Sequence, residues 1–283
     1  MTALAFRRWH RAAGLGSPPL VAGLRPEERA RLLPAPARDA AQPANRHSVA
    51  ALLVAAVLLW GAVVGAGVLI TGALAAVRSF DAAVSEWFAG IRSENLTAVF
   101  FALSRIGDTS SIMLGLLAAT ALAFAITRRH RPAIFMVTAV LGEVMLFVAI
   151  SQVVGRTRPS VEHLTPGLPP TSSFPSGHVG ATTALYGAVA VLIVLWSRSP
   201  WRYLALVGAF GVAAVMVTAR LYIGVHYLTD ATASVVYTGC WLAVCAWAIQ
   251  PGPKRTSSDA HRDSLAQLQD DHRRPTSGAP NEA

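Results

Sequence analysis

Residues 174–196 read FPSGHVGATTALYGAVAVLIVLW, a short polar start followed by an apolar run without a charged residue. A helix needs about 20 predominantly apolar residues to cross the hydrocarbon core of a bilayer. An open strand could not satisfy its backbone hydrogen bonds in lipid, so residues 179–196 are predicted to form a transmembrane helix. The polar start would then lie at a membrane surface.

Apolar runs of similar length recur on both sides of this stretch. The predicted spans are 49–77, 110–127, 133–154, 179–196, 203–219 and 230–249. The whole chain is 53% hydrophobic and 14% charged, whereas soluble domains average about 25% charged residues. The predicted fold is therefore all-α, a polytopic membrane helical bundle with about six transmembrane helices.

The segments outside these spans differ in composition. Residues 80–104 mix aromatic and acidic side chains, which predicts an interfacial helix. Residues 1–47 are rich in Arg, Ala and Pro, and residues 251–283 are polar, so both are predicted to be disordered tails. Residues 48–250 then form one six-span domain.

The basic residues predict an orientation in the membrane. The net charge is +9, and the basic residues cluster beside the apolar runs. The basic segments are 7–46, 128–131, 198–202 and 254–255. By the positive-inside rule these segments are cytoplasmic, which places both termini of a multi-pass cell-membrane protein in the cytoplasm and segments 78–109, 155–178 and 220–229 outside. We interpret the charge as a topology signal and a source of head-group contacts, not as a nucleic-acid-binding surface.

Two cysteines and one glutamate lie inside the predicted spans. Cys240 and Cys245 both lie in the last run and form no CxxC pattern, so no metal site and no cofactor are predicted. Glu143 lies inside the third span, where a carboxylate is a functional suspect. The preferred interpretation is a neutral or hydrogen-bonded group inside the bundle.

Three polar clusters fall at the outward ends of the spans. They are Gly155-Arg156-Thr157-Arg158-Pro159, Phe174-Pro175-Ser176-Gly177-His178, and Arg220 with His226 and Asp230. Arginines near a Ser-Gly turn and a helix N-terminus are suited to bind a tetrahedral oxyanion. Two histidines supply acid–base or nucleophilic capacity near neutral pH. A carboxylate four residues after one histidine can orient its ring.

In these clusters the sequence resembles the type 2 phosphatidic acid phosphatase (PAP2) superfamily, which also includes the vanadium haloperoxidases. The family pattern has a Lys and an Arg-Pro, then Pro-Ser-Gly-His, then Arg, His and Asp. The matching residues here are Arg158-Pro159, Pro175-Ser176-Gly177-His178, Arg220, His226 and Asp230. The resemblance covers roughly residues 50–249, and the multi-span plan points to the branch of membrane lipid phosphatases.

Two positions depart from the family pattern. Ser151 occupies the position of the family's Lys, and Ala219 stands where a Ser often precedes the third-motif Arg. Arg156, two residues before Arg158, is the residue expected to supply the missing positive charge.

The resemblance implies a role for each matched residue. His226 is the nucleophile that forms a phosphohistidine, Asp230 orients His226, and His178 protonates the leaving group. The implied phosphate-binding residues are Arg158, Ser176, Gly177 and Arg220, and Arg156 is added because of its charge.

The predicted function is that of an integral membrane lipid phosphatase. Its expected partners are membrane lipids and a lipid phosphate substrate: phosphatidic acid, phosphatidylglycerol phosphate or an isoprenyl diphosphate such as undecaprenyl diphosphate. The alternatives are a vanadate-dependent haloperoxidase-like enzyme and a non-catalytic protein that binds or transports lipid phosphates. The multi-span architecture argues against the first alternative, and the presence of His178, His226 and Asp230 argues against the second.

Overall fold

The computed structural model describes residues 46–252, and over that range it contains eight α-helices and no strand. The helices are α1 (Arg46–Gly72), α2 (Ala75–Gly90), α3 (Glu94–Ser104), α4 (Thr109–Thr127), α5 (His130–Val154), α6 (Gly177–Trp196), α7 (Tyr203–Tyr222) and α8 (Leu228–Ile249). Short 3-10 turns at Arg105–Gly107 and Pro200–Arg202 precede α4 and α7. Apart from their innermost residues, the two predicted tails lie outside the described residues.

Six of these helices are long and apolar enough to cross a membrane. The spans are Val49–Gly72, Thr109–Thr127, His130–Val154, Gly177–Trp196, Pro200–Tyr222 and Leu228–Ile249. Large apolar side chains on these helices face outward; Leu58 is 67% exposed and Phe210 is 69% exposed. Helices surrounded by lipid present such a surface, because hydrocarbon does not penalise it. The predicted six-span, all-α bundle is confirmed.

The largest difference from the predicted elements lies between the first two spans. Helix α1 ends at Gly72 and does not continue to residue 77, and the Leu74 N–H donates to the Leu69 carbonyl at 3.0 Å as the chain turns into α2. The single interfacial helix predicted within 80–104 is replaced by α2 and α3. The hydroxyl of Ser93 accepts a hydrogen bond from the Leu96 N–H and so starts α3 as a separate helix.

Helix α6 is central and packs against α4, α5, α7 and α8. Gly180 makes the approach to α5 close, because a β-carbon at this position would overlap the Glu143 carboxyl group. Glu143 Oε1 in turn accepts a hydrogen bond from the Tyr237 hydroxyl of α8 at 2.6 Å. A buried polar contact therefore joins α5 and α8 beside α6. It agrees with the interpretation of Glu143 as a hydrogen-bonded group inside the bundle.

The polar residues of the three motifs meet at one end of the bundle. There α5 ends, α6 begins, α7 ends and α8 begins. The α2–α3 pair packs at this end: the Arg92 Nε–H donates to the Tyr222 carbonyl at 3.1 Å, and the Ser93 N–H donates to the Tyr222 hydroxyl at 3.0 Å. Helices that precede the first motif thus contribute to the surroundings of the third.

Candidate active site

The segment between α5 and α6 folds back on itself and brings the first two motifs together. Gly155 ends α5 with a φ of 58°, a left-handed conformation that glycine adopts without a steric penalty. The Ser173 N–H donates to the Arg156 carbonyl at 3.0 Å, and the Arg158 N–H donates to the Pro170 carbonyl at 3.1 Å. This backbone pairing sets the two motifs side by side.

The Arg158 side chain joins this segment to the loop before α8. Nε donates to the Pro169 carbonyl at 2.9 Å, Nη1 to the Val225 carbonyl at 2.6 Å, and Nη2 to the carbonyl and hydroxyl oxygens of Ser172 at 3.3 Å. A guanidinium has five N–H groups, so one N–H on Nη1 has no partner among residues 46–252. Burial lowers the pKa of Arg158 and the charge of Asp230 opposes this, but an arginine stays protonated at neutral pH.

The start of α6 has the features of an anion site. The Ser176 N–H donates to the Ser234 hydroxyl at 2.8 Å, whereas the buried Ser176 hydroxyl has no hydrogen-bond partner among the described residues. Gly177 is the first residue of α6, where backbone N–H groups are not used within the helix. A β-carbon at Gly177 would lie 2.9 Å from the Phe147 ring, so the packing requires glycine. A free hydroxyl beside free helix N–H groups suits a phosphoryl oxygen.

His178 follows in the first turn of α6 and has a carboxylate neighbour. Its Nε2 lies 3.3 Å from the Oδ1 of Asp108, the residue immediately before α4. The His178 side chain is 31% exposed and that of Asp108 is 48% exposed, so both are reachable from outside. Asp108 lies outside the three motifs, and the structure adds it as a neighbour of the predicted acid.

Arg220, in the last turn of α7, is buried beside a cavity. Its Nη1 donates to the Ser104 hydroxyl at 2.9 Å, and its buried Nε has no partner among the described residues. The cavity has a volume of about 590 Å³. Its lining includes Ala98, Phe101, Ser104, Arg105, Asp108, Leu168, His178 and Arg220. The lining therefore combines two arginines and His178 with one carboxylate and several apolar side chains.

The His226 ring is anchored by a backbone carbonyl and not by Asp230. Its Nδ1 lies 2.7 Å from the Ser173 carbonyl oxygen but 3.9 Å from Asp230 Oδ2. Asp230 is predicted to orient His226, but its oxygen nearest the ring accepts the Tyr227 N–H at 2.8 Å and the Ser173 hydroxyl at 2.6 Å. A carbonyl can only accept, so Nδ1 carries the proton and Nε2 keeps its lone pair.

The electrostatic surroundings keep His226 uncharged. Burial lowers the pKa of His226, the negative charge of Asp230 opposes this, and the positive charges of Arg220 and Arg158 lower the pKa further. The ordinary histidine value is 6.5, so the ring is neutral at pH 7. A neutral, buried imidazole with a free Nε2 lone pair has the state that a nucleophile needs.

Arg156, which is predicted to bind phosphate, contacts two carboxylates in the structure. Its Nη1 donates to Asp230 Oδ1 at 2.5 Å and its Nη2 to Asp81 Oδ2 at 2.7 Å. Its side chain is only 4% exposed, and it is not part of the cavity lining. Two carboxylates therefore offset the charge that was expected to replace the family's Lys. Ser151 at the Lys position donates to the Val148 carbonyl of its own helix at 3.0 Å.

Most of the predicted residues converge. His178 and Arg220 line one cavity, and His178 lies within electrostatic range of both Arg220 and His226. The sequence did not predict Asp81, Ser104, Asp108 or Ser173 as site residues. Their side chains complete the hydrogen bonds around the predicted ones, and no local sequence pattern marks them.

Comparison with known proteins identifies the family. The model of the PAP2 superfamily matches residues 113–252. This chain belongs to the PAP2 superfamily.

Structural comparison of this PAP2 protein agrees with that result. Its fold is similar to the crystal structure of the first transmembrane PAP2 type phosphatidylglycerolphosphate phosphatase from Bacillus subtilis, with a TM-score of 0.58 and 21% sequence identity. The alignment covers 74% of this chain and 98% of the other. At this identity the likeness shows the fold. No curated protein sequence matches the chain.

The superfamily and the fold bear on the predictions made from sequence. The predicted family is confirmed, and six spans in the fold of a transmembrane neighbour make this PAP2 protein a multi-pass membrane protein. The prediction of a phosphatase is confirmed at the level of the family. Among residues 46–252, no cluster of three or more His, Cys, Asp or Glu side chains is placed to hold a metal ion.

Proposed function

We propose that this PAP2 protein is an integral membrane phosphatase that hydrolyses a phosphomonoester or diphosphate of a lipid through a phosphohistidine on His226. The observation that supports this most directly is that His178 and Arg220 line one cavity, while a neutral His226, anchored by the Ser173 carbonyl, lies within electrostatic range of both. This arrangement can attack phosphorus, protonate a leaving group and stabilise negative charge at the same place.

In the first step, His226 Nε2 attacks the phosphorus atom. The N–P bond forms as the P–O bond to the leaving group breaks, and His178 donates a proton to the departing oxygen. The Nδ1–H of the resulting cationic phosphohistidine stays hydrogen-bonded to the Ser173 carbonyl. In the second step, His178 takes a proton from a water molecule that attacks phosphorus, inorganic phosphate leaves, and neutral His226 is restored.

The phosphoryl oxygens are bound by groups that have no hydrogen-bond partner among residues 46–252. These are the Arg220 Nε–H and the Ser176 hydroxyl, the remaining Arg158 N–H, and the Gly177 N–H at the start of α6. Donors fixed before the reaction stabilise developing charge without reorganisation, and each contributes about 2–4 kcal/mol to the transition state.

The lining of the cavity supports a lipid substrate. Ala98, Phe101 and Leu168 contribute apolar side chains to the same lining as the cationic Arg220. A lipid could keep its hydrocarbon chain in the membrane while its phosphate reaches the site. The substrates to be compared are phosphatidic acid, phosphatidylglycerol phosphate, sphingoid phosphates and undecaprenyl diphosphate; the second is the lipid named for the Bacillus subtilis neighbour.

The proposed location is the cell membrane, with both termini cytoplasmic and the site facing outward. Arginines at 128–131 and 198–202 lie in the connections at the bundle end opposite the three motifs. The positive-inside rule assigns those connections to the cytoplasm and the motifs to the outer face.

The test is phosphate release from the detergent-purified chain over this lipid panel. The wild type is expected to release phosphate from at least one lipid, and His226→Ala is expected to lower kcat at least about a thousandfold, as loss of a nucleophile does in other enzymes. His163→Ala is the matched control, because this loop histidine bonds to the Pro159 carbonyl and does not line the cavity.

Two outcomes would overturn the proposal. Equal phosphate release by the wild type and His226→Ala would exclude a phosphohistidine on this residue. Binding of a lipid phosphate by the folded wild type without release from any lipid would instead support a binding or transport protein.

A further inference from the structure

A buried carboxylate from outside the three motifs lies next to the proposed catalytic residues. Asp81, on α2, is completely buried, and it precedes the region that the family model matches, residues 113–252. A buried carboxylate requires partners that offset its desolvation, so its contacts show what it holds in place.

Asp81 has two groups of partners. Its Oδ2 accepts the Arg156 Nη2–H at 2.7 Å and the Thr229 hydroxyl at 2.5 Å, while its Oδ1 accepts the Thr229 N–H at 3.1 Å. Thr229 is the second residue of α8, and a carboxylate at a helix N-terminus is stabilised by the helix dipole. One side chain thus fixes both the Arg156 guanidinium and the first turn of α8.

Those partners lead directly to Asp230. The Arg156 Nη1 donates to Asp230 Oδ1 at 2.5 Å and to the Thr229 hydroxyl at 2.7 Å. The guanidinium also lies over the Tyr227 ring, 4.2 Å from its centroid. Arg156 is therefore held between Asp81 and Asp230, and neither carboxylate can move without moving the guanidinium.

The series of contacts continues to the nucleophile. Asp230 Oδ2 accepts the Ser173 hydroxyl at 2.6 Å, and the Ser173 carbonyl binds His226 Nδ1 at 2.7 Å. Asp81, Arg156, Asp230 and Ser173 are all buried. The position and tautomer of His226 thus depend on a hydrogen-bonded series that begins on α2.

We propose that Asp81 is a positioning residue for the phosphatase reaction: it holds Arg156 and the first turn of α8, and through Asp230 and Ser173 it fixes the His226 ring for attack. Arg156 takes part in this series and does not bind the substrate phosphate. The inference rests on the proposed function, because it concerns the same nucleophile.

The deciding variant is Asp81→Asn, which keeps the shape and removes one acceptor. Its amide nitrogen would face the donor of either Arg156 or Thr229, so the series loses a contact while the bulk of the side chain is unchanged. Glu86→Gln is the matched control, since Glu86 is an exposed acid on the same helix. Thr229→Val removes the bridging hydroxyl, keeps every charge and serves as the second variant.

The measurement is the pre-steady-state burst of dephosphorylated lipid after the enzyme is rapidly mixed with its best substrate. The burst amplitude counts folded active sites, and the burst rate reports attack by His226. We expect Asp81→Asn to lower the burst rate about 10- to 100-fold, as small displacements of a reacting group do, with the burst amplitude unchanged. Thr229→Val should lower the same rate by a smaller factor, and Glu86→Gln should match the wild type.

The outcomes separate this inference from the proposed function. A lower amplitude at an unchanged rate, in either Asp81→Asn or Thr229→Val, would show a purely structural role and overturn the inference. If Asp81→Asn does not fold, the burst rate of Thr229→Val decides. If the wild type releases phosphate and His226→Ala does not, the proposed function stands whatever the Asp81 variants do.

Discussion

The three arginines of the first and third motifs differ in what their guanidinium groups contact. Arg156 binds two carboxylates, Arg158 binds mainly backbone carbonyls, and Arg220 binds one hydroxyl and keeps a buried Nε–H without a partner among the described residues. A cation beside anions contributes little net field, whereas one held by neutral oxygens keeps its charge for a ligand. Arg158 and Arg220 are therefore the expected sources of positive charge at the phosphate.

The Ser176 hydroxyl gives a residue-scale prediction. It is buried without a partner among the described residues, so Ser176→Ala removes no hydrogen bond within the protein and is expected to leave the thermal midpoint unchanged or higher. Loss of a phosphate donor should weaken inhibition by orthovanadate about tenfold, which is about 1.4 kcal/mol.

Ser173→Ala is the contrast to that variant. The Ser173 hydroxyl donates to the buried Asp230 carboxylate at 2.6 Å, so its removal leaves a buried charge with one partner fewer and is expected to lower the midpoint. The prediction for Ser176 is wrong if both variants lose the same stability.

The environment of His226 predicts the acidic limb of the pH profile. Only the neutral ring can attack, and burial, with Arg220 and Arg158, lowers its pKa below the ordinary 6.5. Activity is therefore expected to persist as the pH falls through 6.5 and to be lost only at lower pH. The measurement is kcat/KM against pH with two substrates whose phosphates ionise at different pH, since a limb common to both belongs to the enzyme. A common acidic limb with its midpoint above pH 6.5 would contradict the prediction.

The motif residues could be predicted from sequence because their identities and order are local properties of the chain. The role of Arg156 could not be predicted this way. Its partners Asp81 and Asp230 are 75 and 74 residues away, and only folding shows that both carboxylates reach it. The same holds for His226, whose anchor is a backbone carbonyl that any residue at position 173 would supply.

At the scale of the helices, apolar length predicted the six spans well and predicted the segment between the first two poorly. A bilayer imposes a fixed thickness, so the length of an apolar run indicates a span. No such constraint acts on residues 80–104, where two helices form in place of one. The separation of α2 from α3 depends on contacts of Arg92 and Ser93 with Tyr222. Tyr222 is the last residue of α7, two residues after Arg220 of the third motif.

The close approach of α6 to α5 gives an element-scale prediction. A methyl group at Gly180 would overlap the Glu143 carboxyl group and disturb its bond to Tyr237. Gly180→Ala is therefore expected to destabilise the bundle by about 1–3 kcal/mol, as overpacking does, and to lower the thermal midpoint in detergent.

Gly239→Ala is the control for that change, because nothing lies within 4 Å of a β-carbon at this position of α8. Alanine favours the helix over glycine by about 1 kcal/mol, so this variant should be as stable as the wild type or more stable. Equal midpoints for the two variants would show that α5 and α6 separate at little cost.

At the scale of the whole molecule, the proposed orientation can be tested with single cysteines. With Cys240 and Cys245 replaced by alanine, Glu162→Cys should react with a membrane-impermeant maleimide in intact cells, because the Glu162 side chain is 83% exposed at the motif end. Arg198→Cys, an exposed residue at the other end, should react only after the membrane is permeabilised. The reverse pattern would place the site in the cytoplasm.

The cavity is built partly from residues that precede the family match. Ala98, Phe101 and Arg105 line it, yet the matched region begins at residue 113. Two members of this superfamily could therefore share every motif residue and still offer different chambers to the same lipid. Exchanging residues 94–103 between two such proteins, which leaves Asp81, Ser104 and Asp108 in place, should transfer lipid preference while the chemical step stays with the recipient.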